Sequence, residues 1–191
     1  MDKLKADVEL ACWLDGRFIL RSGQRTNRYF DKYQFESNPA MLAALVDRLH
    51  TCVPPDTDVL AGVDMGGIPI ATALSLKLDL PAVYVRKQAK KYGTCRQVEG
   101  VSVTGKRVLV VEDVISTGGA VKLAIDALCK QGADVVGSLV VMNRSNPMLT
   151  RLGGKPLFQL WPNEGATGPL VSFTRFEKRT SFAQRPFAGE F

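Results

Sequence analysis

Apolar residues between positions 58 and 142 alternate between short continuous runs and longer runs with helical spacing. Runs such as DVLAGV and RVLVV are almost entirely apolar, whereas GIPIATALSLKL is longer and reads as a helix. Short, continuous apolar runs are typical of strands that are buried on both faces of a sheet. The pattern therefore predicts an α/β fold, with a central parallel sheet flanked by helices. Strands are expected at 58–63, 81–86, 107–111 and 134–142, and helices at 67–78 and 119–131.

The residues before this region predict different elements. Apolar side chains recur at helical intervals over 2–14, and the segments 17–23 and 27–33 predict two short strands. Asn38 and Pro39 are typical of a helix start, and a further amphipathic helix follows them. A helix, a hairpin and a second helix are thus expected before the sheet begins.

Length and composition fit one domain. The chain has 191 residues, of which 46% are hydrophobic, and this is enough to bury a core without metals or disulfides. Four cysteines without a C-x-x-C pair and a single histidine argue against a zinc site or a disulfide framework and fit a reducing cytoplasm. From Pro162 onward the periodicity is weak, and we expect loops around one short element.

The charge narrows the class of ligand. A formal net charge of +6 suits nucleic acid, a membrane surface or a phosphorylated small molecule. The basic residues cluster around the motifs described below, which favours the small molecule over nucleic acid. No run approaches the roughly 20 apolar residues of a membrane span, so no membrane association is expected.

The stretch VLVVEDVISTGGA, residues 108–120, carries the clearest candidate chemistry. If 107–111 is a strand, the following residues lie beyond its carboxyl end, where parallel sheets place their ligand sites. Hydroxyl groups and unhindered backbone N–H groups at the start of a helix favour a phosphate. These groups are supplied by Ser116, Thr117, Gly118 and Gly119. The lysine of a Walker A loop is missing, and no G-x-G-x-x-G motif occurs.

Two adjacent acids, Glu112 and Asp113, stand beside this phosphate loop. They would repel a phosphate, so they need sugar hydroxyls, a cation or positive charge that develops during a reaction. A phosphorylated ribose satisfies both the loop and the acids. An ordinary strand-to-helix turn capped by Ser116 or Thr117 is the alternative.

This stretch resembles the signature of the type I phosphoribosyltransferases, which bind 5-phospho-α-D-ribosyl 1-diphosphate (PRPP) with magnesium. The resemblance implies that Glu112 and Asp113 hold the ribose hydroxyls and that the loop from Ser116 to Ala120 wraps the 5-phosphate. The PRPP contacts implied in this stretch are therefore Glu112, Asp113, Val114, Ile115, Ser116, Thr117, Gly118, Gly119 and Ala120.

A basic segment after the strand at 81–86 is a second candidate. Such a run is commonly a solvated surface, but at the binding edge it would close over a diphosphate and exclude water. Its sequence resembles the catalytic lid of the orotate branch of this family. The matching residues are Arg86, Lys87, Lys90, Tyr92 and Gly93. The resemblance implies that all of them except Gly93 contact PRPP. It also implies that Lys90, Glu112 and Asp113 are the catalytic residues.

Three further segments resemble the same branch. The hairpin FILRSGQRTNRYFDKY places Arg21, Tyr29 and Phe30 near the base, and GVDMGGIPIA resembles the diphosphate loop. Arg144, in VVMNRSN, matches the position that pairs with the orotate carboxylate, and Ser116 is a further implied orotate contact.

The resemblance implies a type I phosphoribosyltransferase fold in a single domain spanning 1–191. Residues 1–36 and the C-terminal segment would form a small hood, and 37–150 the core. The expected reaction transfers a phosphoribosyl group from PRPP to orotate. Mg²⁺ is expected to be held mainly through PRPP, without direct protein ligands. The resemblance also implies a homodimer in which the lid is shared between the two subunits. A related enzyme for another base and a PRPP-sensing regulatory protein remain alternatives.

Overall fold

The computed structural model describes residues 2–20 and 23–161. Its helices are α1 (Lys3–Cys12), α2 (Tyr33–Glu36), α3 (Pro39–Leu49), α4 (Gly67–Leu78) and α5 (Gly119–Lys130). Its strands are β1 (Trp13–Ile19), β2 (Arg25–Phe30), β3 (Val59–Val63), β4 (Ala82–Val85), β5 (Val98–Gly100), β6 (Arg107–Ile115), β7 (Asp134–Asn143), β8 (Arg151–Leu152) and β9 (Lys155–Trp161).

The sheet confirms the predicted α/β architecture. Seven strands follow the order β5-β4-β3-β6-β7-β9-β8. The five central strands, from β4 to β9, are all parallel, whereas β5 and β8 are antiparallel edge strands. Strands β1 and β2 form a separate antiparallel hairpin, as expected, but β1 begins at Trp13, within the helix predicted over 2–14, and not at residue 17. The C-terminal part of the predicted hood lies outside the described residues.

Alternate residues of β6 face two separate apolar clusters, as the strand period requires. Leu109 and Val111 pack with the side chains of α1, α3 and α4 on one face. Val108 and Val110 pack with α5 on the other face. The sheet is therefore covered on both sides, and its ligand-binding edge is the end at which the parallel strands finish.

One carboxylate near the N-terminus connects three elements. Asp2 caps α1 by accepting hydrogen bonds from the backbone N–H groups of Leu4 and Lys5, at 3.1 and 3.4 Å. It also forms an ion pair with Arg48 of α3 and accepts a 2.9 Å hydrogen bond from the indole N–H of Trp161. The first turn of α1 is thus attached to α3 and to the end of β9.

Some boundaries differ from the sequence prediction. β6 continues to Ile115 instead of ending at 111, because its carboxyl end pairs with β7 through residues 142 and 143. The acids at 112 and 113 therefore lie within the strand and not in the loop. β5 was not expected within the polar stretch after β4, and β9 extends the sheet beyond residue 150 by pairing with β7.

Gly67, the first residue of α4, offers a test of how closely that helix packs on β6. A methyl group there would overlap the carbonyl oxygen of Val111. Gly67→Ala is therefore expected to lower the free energy of unfolding by about 1–3 kcal/mol, measured by denaturant titration. Gly119 begins α5 and is the matched control, since its added methyl would meet its nearest neighbour at 3.7 Å. Equal losses in the two variants would contradict the close approach of α4.

Candidate active site

The candidate site lies where the order of the sheet changes direction. From β3 the chain crosses to β4 on one side, whereas from β6 it crosses to β7 on the other. Such a switch point leaves a crevice beyond the carboxyl ends of the strands. The end of β6, the 64–67 turn after β3 and the 116–119 turn after β6 all border this crevice. The structure therefore brings the two acids, the phosphate loop and the turn after β3 to one edge.

The acid pair is buried. Glu112 is 7% exposed and Asp113 is fully buried, and the Glu112 carboxylate accepts a 3.1 Å hydrogen bond from the backbone N–H of Asp113. The Lys32 ammonium lies 2.5 Å from Oδ2 of Asp113. Gly66 leaves room for this contact, since a methyl group there would overlap the Asp113 carboxylate. A carboxylate this deeply buried requires such a partner.

Glu36 completes the surroundings of Asp113. Burial, with the hydrogen bond and charge of Asp113, raises the pKa of Glu36 to about 9. Burial and the Asp113 charge also raise the pKa of Glu112 to about 9. Burial works against ionisation of Asp113 as well, but hydrogen bonds from Glu36 and Glu112 and the Lys32 charge lower its pKa. Asp113 is thus the acid that stays ionised at neutral pH.

The loop after β6 has the features of an anion-binding turn. Ser116 and Thr117 are exposed, and Gly118 precedes α5 with a left-handed φ of 71°. A side chain at Gly118 would also overlap Leu152. α5 begins without a side-chain cap, so its first N–H groups are open to a ligand. A phosphate fits this helix start better than the alternative of a capped turn.

The basic segment between β4 and β5 borders a cavity of about 380 Å³. Asp64, Tyr84, Arg86, Lys90 and Glu99 contribute to its lining. Lys90 forms a 2.6 Å ion pair with Glu99 of β5, which holds this lysine against its own chain. Lys87 and Tyr92 point away from the core and are exposed. The structure therefore brings Arg86 and Lys90 to the cavity and leaves Lys87 and Tyr92 at the surface.

Arg144, just after β7, lies against two aromatic rings. Its guanidinium is 4.8 Å from the ring centre of Trp13 and 5.1 Å from that of Phe30. The two rings meet edge to face at 5.3 Å. Asn143 beside it is buried and hydrogen-bonded to Gln159 and Ser145, so it stabilises the end of β7. A guanidinium supported by aromatic rings can bind a planar anion.

The predicted base contacts separate in the structure. Phe30 approaches Arg144, whereas Tyr29, the preceding residue on β2, packs against Phe18 with ring centres 5.4 Å apart. Neighbouring residues of a strand face opposite sides, which explains the separation. Arg21 lies outside the described residues.

Sequence reasoning missed Lys32, Glu36 and the contribution of Trp13. Lys32 lies near the end of the strand predicted at 27–33 and Glu36 follows that strand without a recognisable motif, so only the tertiary fold places them beside β6. Trp13 lies in the segment 2–14 for which the sequence predicted a helix. Only the strand pairing observed in the structure places Trp13 opposite Phe30 and against Arg144.

Within 2–20 and 23–161, no group of three or more His, Cys, Asp and Glu side chains is arranged to hold a metal ion. None of the helices in this part of the chain is long and apolar enough to cross a membrane.

Comparison with known proteins identifies the class. Residues 34–151 match the phosphoribosyl transferase domain family, and the chain belongs to this family. It is 48% identical over 142 residues to the orotate phosphoribosyltransferase of a Nocardioides species, covering 74% of this chain and 79% of that protein. Within the family, it belongs with the orotate phosphoribosyltransferases.

Solved structures support the same assignment. The orotate phosphoribosyltransferase of Mycobacterium tuberculosis, in complex with Fe(III) dicitrate, has a TM-score of 0.68 at 30% identity, covering 84% of this chain and 95% of that one. The same enzyme in complex with PRPP has a TM-score of 0.61 at 25% identity, covering 84% and 87%. The chain therefore has the type I phosphoribosyltransferase fold that the sequence predicted.

Proposed function

We propose that this protein transfers the 5-phosphoribosyl group of PRPP to orotate, giving orotidine 5-phosphate and diphosphate in the synthesis of pyrimidine nucleotides. The observation that carries the proposal is the buried acid pair beside an anion-binding turn, at the same sheet edge as a guanidinium supported by aromatic rings. These features match a sugar, a phosphate and an acidic base, in that order. The chain's membership of the orotate phosphoribosyltransferases agrees with each of these three ligand groups.

In this proposal, Glu112 and Asp113 bind the ribose hydroxyls. As the bond from C1 to the diphosphate breaks, the ribose gains positive charge, which an ionised Asp113 stabilises in a site with little water. The 116–120 loop binds the 5-phosphate through hydroxyls and the N–H groups at the start of α5. The residues assigned here hold the sugar in place and stabilise its transient charge, and proton transfer is secondary.

The diphosphate is assigned to the cavity under the basic segment. Arg86 and Lys90 line this cavity, and Lys87 and Tyr92 stand on the same segment, within reach of a ligand once the segment closes. Magnesium bound mainly through PRPP oxygens would neutralise part of the diphosphate charge.

We also propose a cytoplasmic homodimer in which the basic segment of each subunit closes on the active site of the other. The exposed charges of Lys87, Lys91 and Arg96 repel one another and have little packing of their own, so a second surface would stabilise them. All four cysteines are free thiols, which agrees with a reducing compartment.

An assay with three components tests the proposed reaction. Mixing the protein with orotate, PRPP and Mg²⁺ is expected to consume orotate, followed as a loss of its ultraviolet absorbance. Parallel reactions contain adenine, hypoxanthine or uracil instead of orotate. Turnover with one of these bases and none with orotate would overturn the assignment, and a protein that binds PRPP but turns over no base would be a sensor.

Arg144 is expected to contribute mainly to orotate binding. Arg144→Ala removes a guanidinium that would pair with the orotate carboxylate in a partly buried site, and the loss of such a pair costs about 2–4 kcal/mol. The KM for orotate is expected to rise by roughly 30-fold or more, while the KM for PRPP changes little. Arg151→Ala is the matched control, because Arg151 is exposed on the edge strand β8. Equal losses for both substrates would place Arg144 elsewhere in the site.

A further inference from the structure

Lys32, Glu36, Glu112 and Asp113 form a buried charge cluster around the end of β6. It contains three carboxyl groups and one ammonium, so full ionisation would leave a net negative charge in a site with little access to water. Glu36 is 7% exposed, and the side chain of Lys32 is 31% exposed. Burying uncompensated charge is costly, so the cluster must lower its charge by keeping protons.

The position of Glu36 indicates where one proton resides. Within the described residues, the buried Oε1 atom of Glu36 accepts no hydrogen bond from any N–H or hydroxyl group. A methyl group at Gly66 would contact both this oxygen and the carboxylate of Asp113, so the two carboxyl groups converge on the same space. Two ionised carboxylates that converge in this way repel each other strongly, whereas a single proton shared between them forms a hydrogen bond.

We propose that Lys32 and Glu36 are positioning residues for Asp113: Lys32 holds its carboxylate by an ion pair, and Glu36 remains protonated and donates a hydrogen bond to the same carboxylate. The inference extends the proposed function, in which Asp113 stabilises charge on the ribose. Both residues come from the segment that connects the β1–β2 hairpin to α3, whereas Asp113 lies on the central sheet. This segment therefore fixes the charge and orientation of an acid to which it is not adjacent in sequence.

The other groups around Glu36 are compatible with a proton on it. Lys32 and Tyr33 face it from its own segment, Cys12 from α1, and Glu112 and Asp113 from β6. Lys32 is the single basic group among them, and it is already paired with Asp113. Since the remaining neighbours are neutral or acidic, ionising Glu36 would add a second negative charge beside Asp113.

The protonation of Glu36 is measured directly in the ligand-free protein. NMR of isotope-labelled glutamate carboxyl carbons, followed from acid to alkaline pH, identifies the Glu36 signal by its absence in Glu36→Gln. The proposal expects this signal to titrate near 9, whereas an ordinary glutamate titrates near 4.5. A Glu36 signal that titrates in the ordinary acidic range would overturn the proposal. This readout needs no turnover, so it is independent of whether orotate is the substrate.

Kinetics test the consequence for catalysis. Glu36→Gln preserves a neutral hydrogen-bond donor and is expected to keep kcat within about threefold. Glu36→Leu, which cannot donate, is expected to lower kcat by roughly 10- to 100-fold, as for other residues that orient a functional group. A large loss in Glu36→Gln would show that Glu36 acts as a negative charge, against the proposal.

Lys32 is tested by the same logic. Lys32→Met is expected to lower kcat by roughly 10- to 100-fold, with KM values changed less than about threefold, and Lys32→Arg is expected to recover most of the loss. The matched control is Lys77→Met, since Lys77 pairs with Asp47 at 2.8 Å on the surface of α4. A dominant rise in the KM for PRPP would instead make Lys32 a substrate ligand. If Lys32→Met does not fold, the Glu36 titration and Lys32→Arg decide the question.

Discussion

Replacing Asp113 by asparagine is expected to lower kcat by about 100- to 1,000-fold, while the KM for PRPP changes by less than about threefold. The substitution keeps the shape and most hydrogen bonds of the side chain but removes the negative charge. That charge matters most when the ribose becomes cationic, and it matters less in the bound substrate. Steady-state kinetics with orotate and PRPP varied separately measures the two effects.

Glu112→Gln is the informative comparison for Asp113→Asn. Burial raises the pKa of Glu112 to about 9, so this residue is already neutral near pH 7 in the ligand-free protein and glutamine resembles it. We therefore expect a smaller loss of kcat for Glu112→Gln. Asp47→Asn, on the surface of α3, controls for loss of an acidic side chain. A raised KM with unchanged kcat in Asp113→Asn would show that the acid only positions the ribose.

Mixing two inactive variants is expected to restore activity if the basic segment serves the neighbouring subunit. Lys90→Ala and Asp113→Asn are unfolded together and refolded as a mixture. Random pairing makes about half of the dimers mixed, and each mixed dimer has one site with both changes and one with neither. About a quarter of wild-type activity should therefore return, measured as orotate consumption.

Two controls accompany the mixture. Each variant is refolded alone. In a further mixture Asp47→Asn, changed on the surface of α3, replaces one partner to show that refolding is efficient. In the described structure Lys90 pairs with Glu99 of its own chain, so serving the neighbour requires this pair to break. A mixture as inactive as its parents would assign each segment to its own subunit.

The sheet and its helices were predictable because their sequence signals are local. Helix α4 begins and ends at the expected residues, 67 and 78, because an apolar helical run follows the turn after a buried strand. β6 was predicted too short because acids at 112 and 113 interrupt the apolar run, and acids usually mark the end of a strand. Their burial depends on Lys32 and Glu36, which lie more than seventy positions away in sequence.

The candidate site was predictable where a single sequence motif supplies all the groups that would contact one part of the ligand. The 116–120 loop follows from its own residues and from the helix behind it. The contacts of Arg144 were harder to predict, because Trp13 and Phe30 reach it from a hairpin. The hydrophobic periodicity indicates that this hairpin exists but not how it is oriented against the sheet. β5 and β9 were missed for a related reason, since a strand at or near the edge of a sheet is defined by its partner more than by its own composition.

The contacts of Asp2 affect how the chain folds as it is synthesised. A ribosome releases the N-terminus first, so α1 emerges long before Trp161, whose indole donates to the Asp2 carboxylate. During that interval Asp2 can cap its own helix and, later, pair with Arg48, but its connection to the sheet has not yet been made. Nascent α1 is therefore only partly attached while the central strands assemble. Its final attachment waits for β9, so a helix that leaves the ribosome before the sheet is fixed in place only after β9 has emerged.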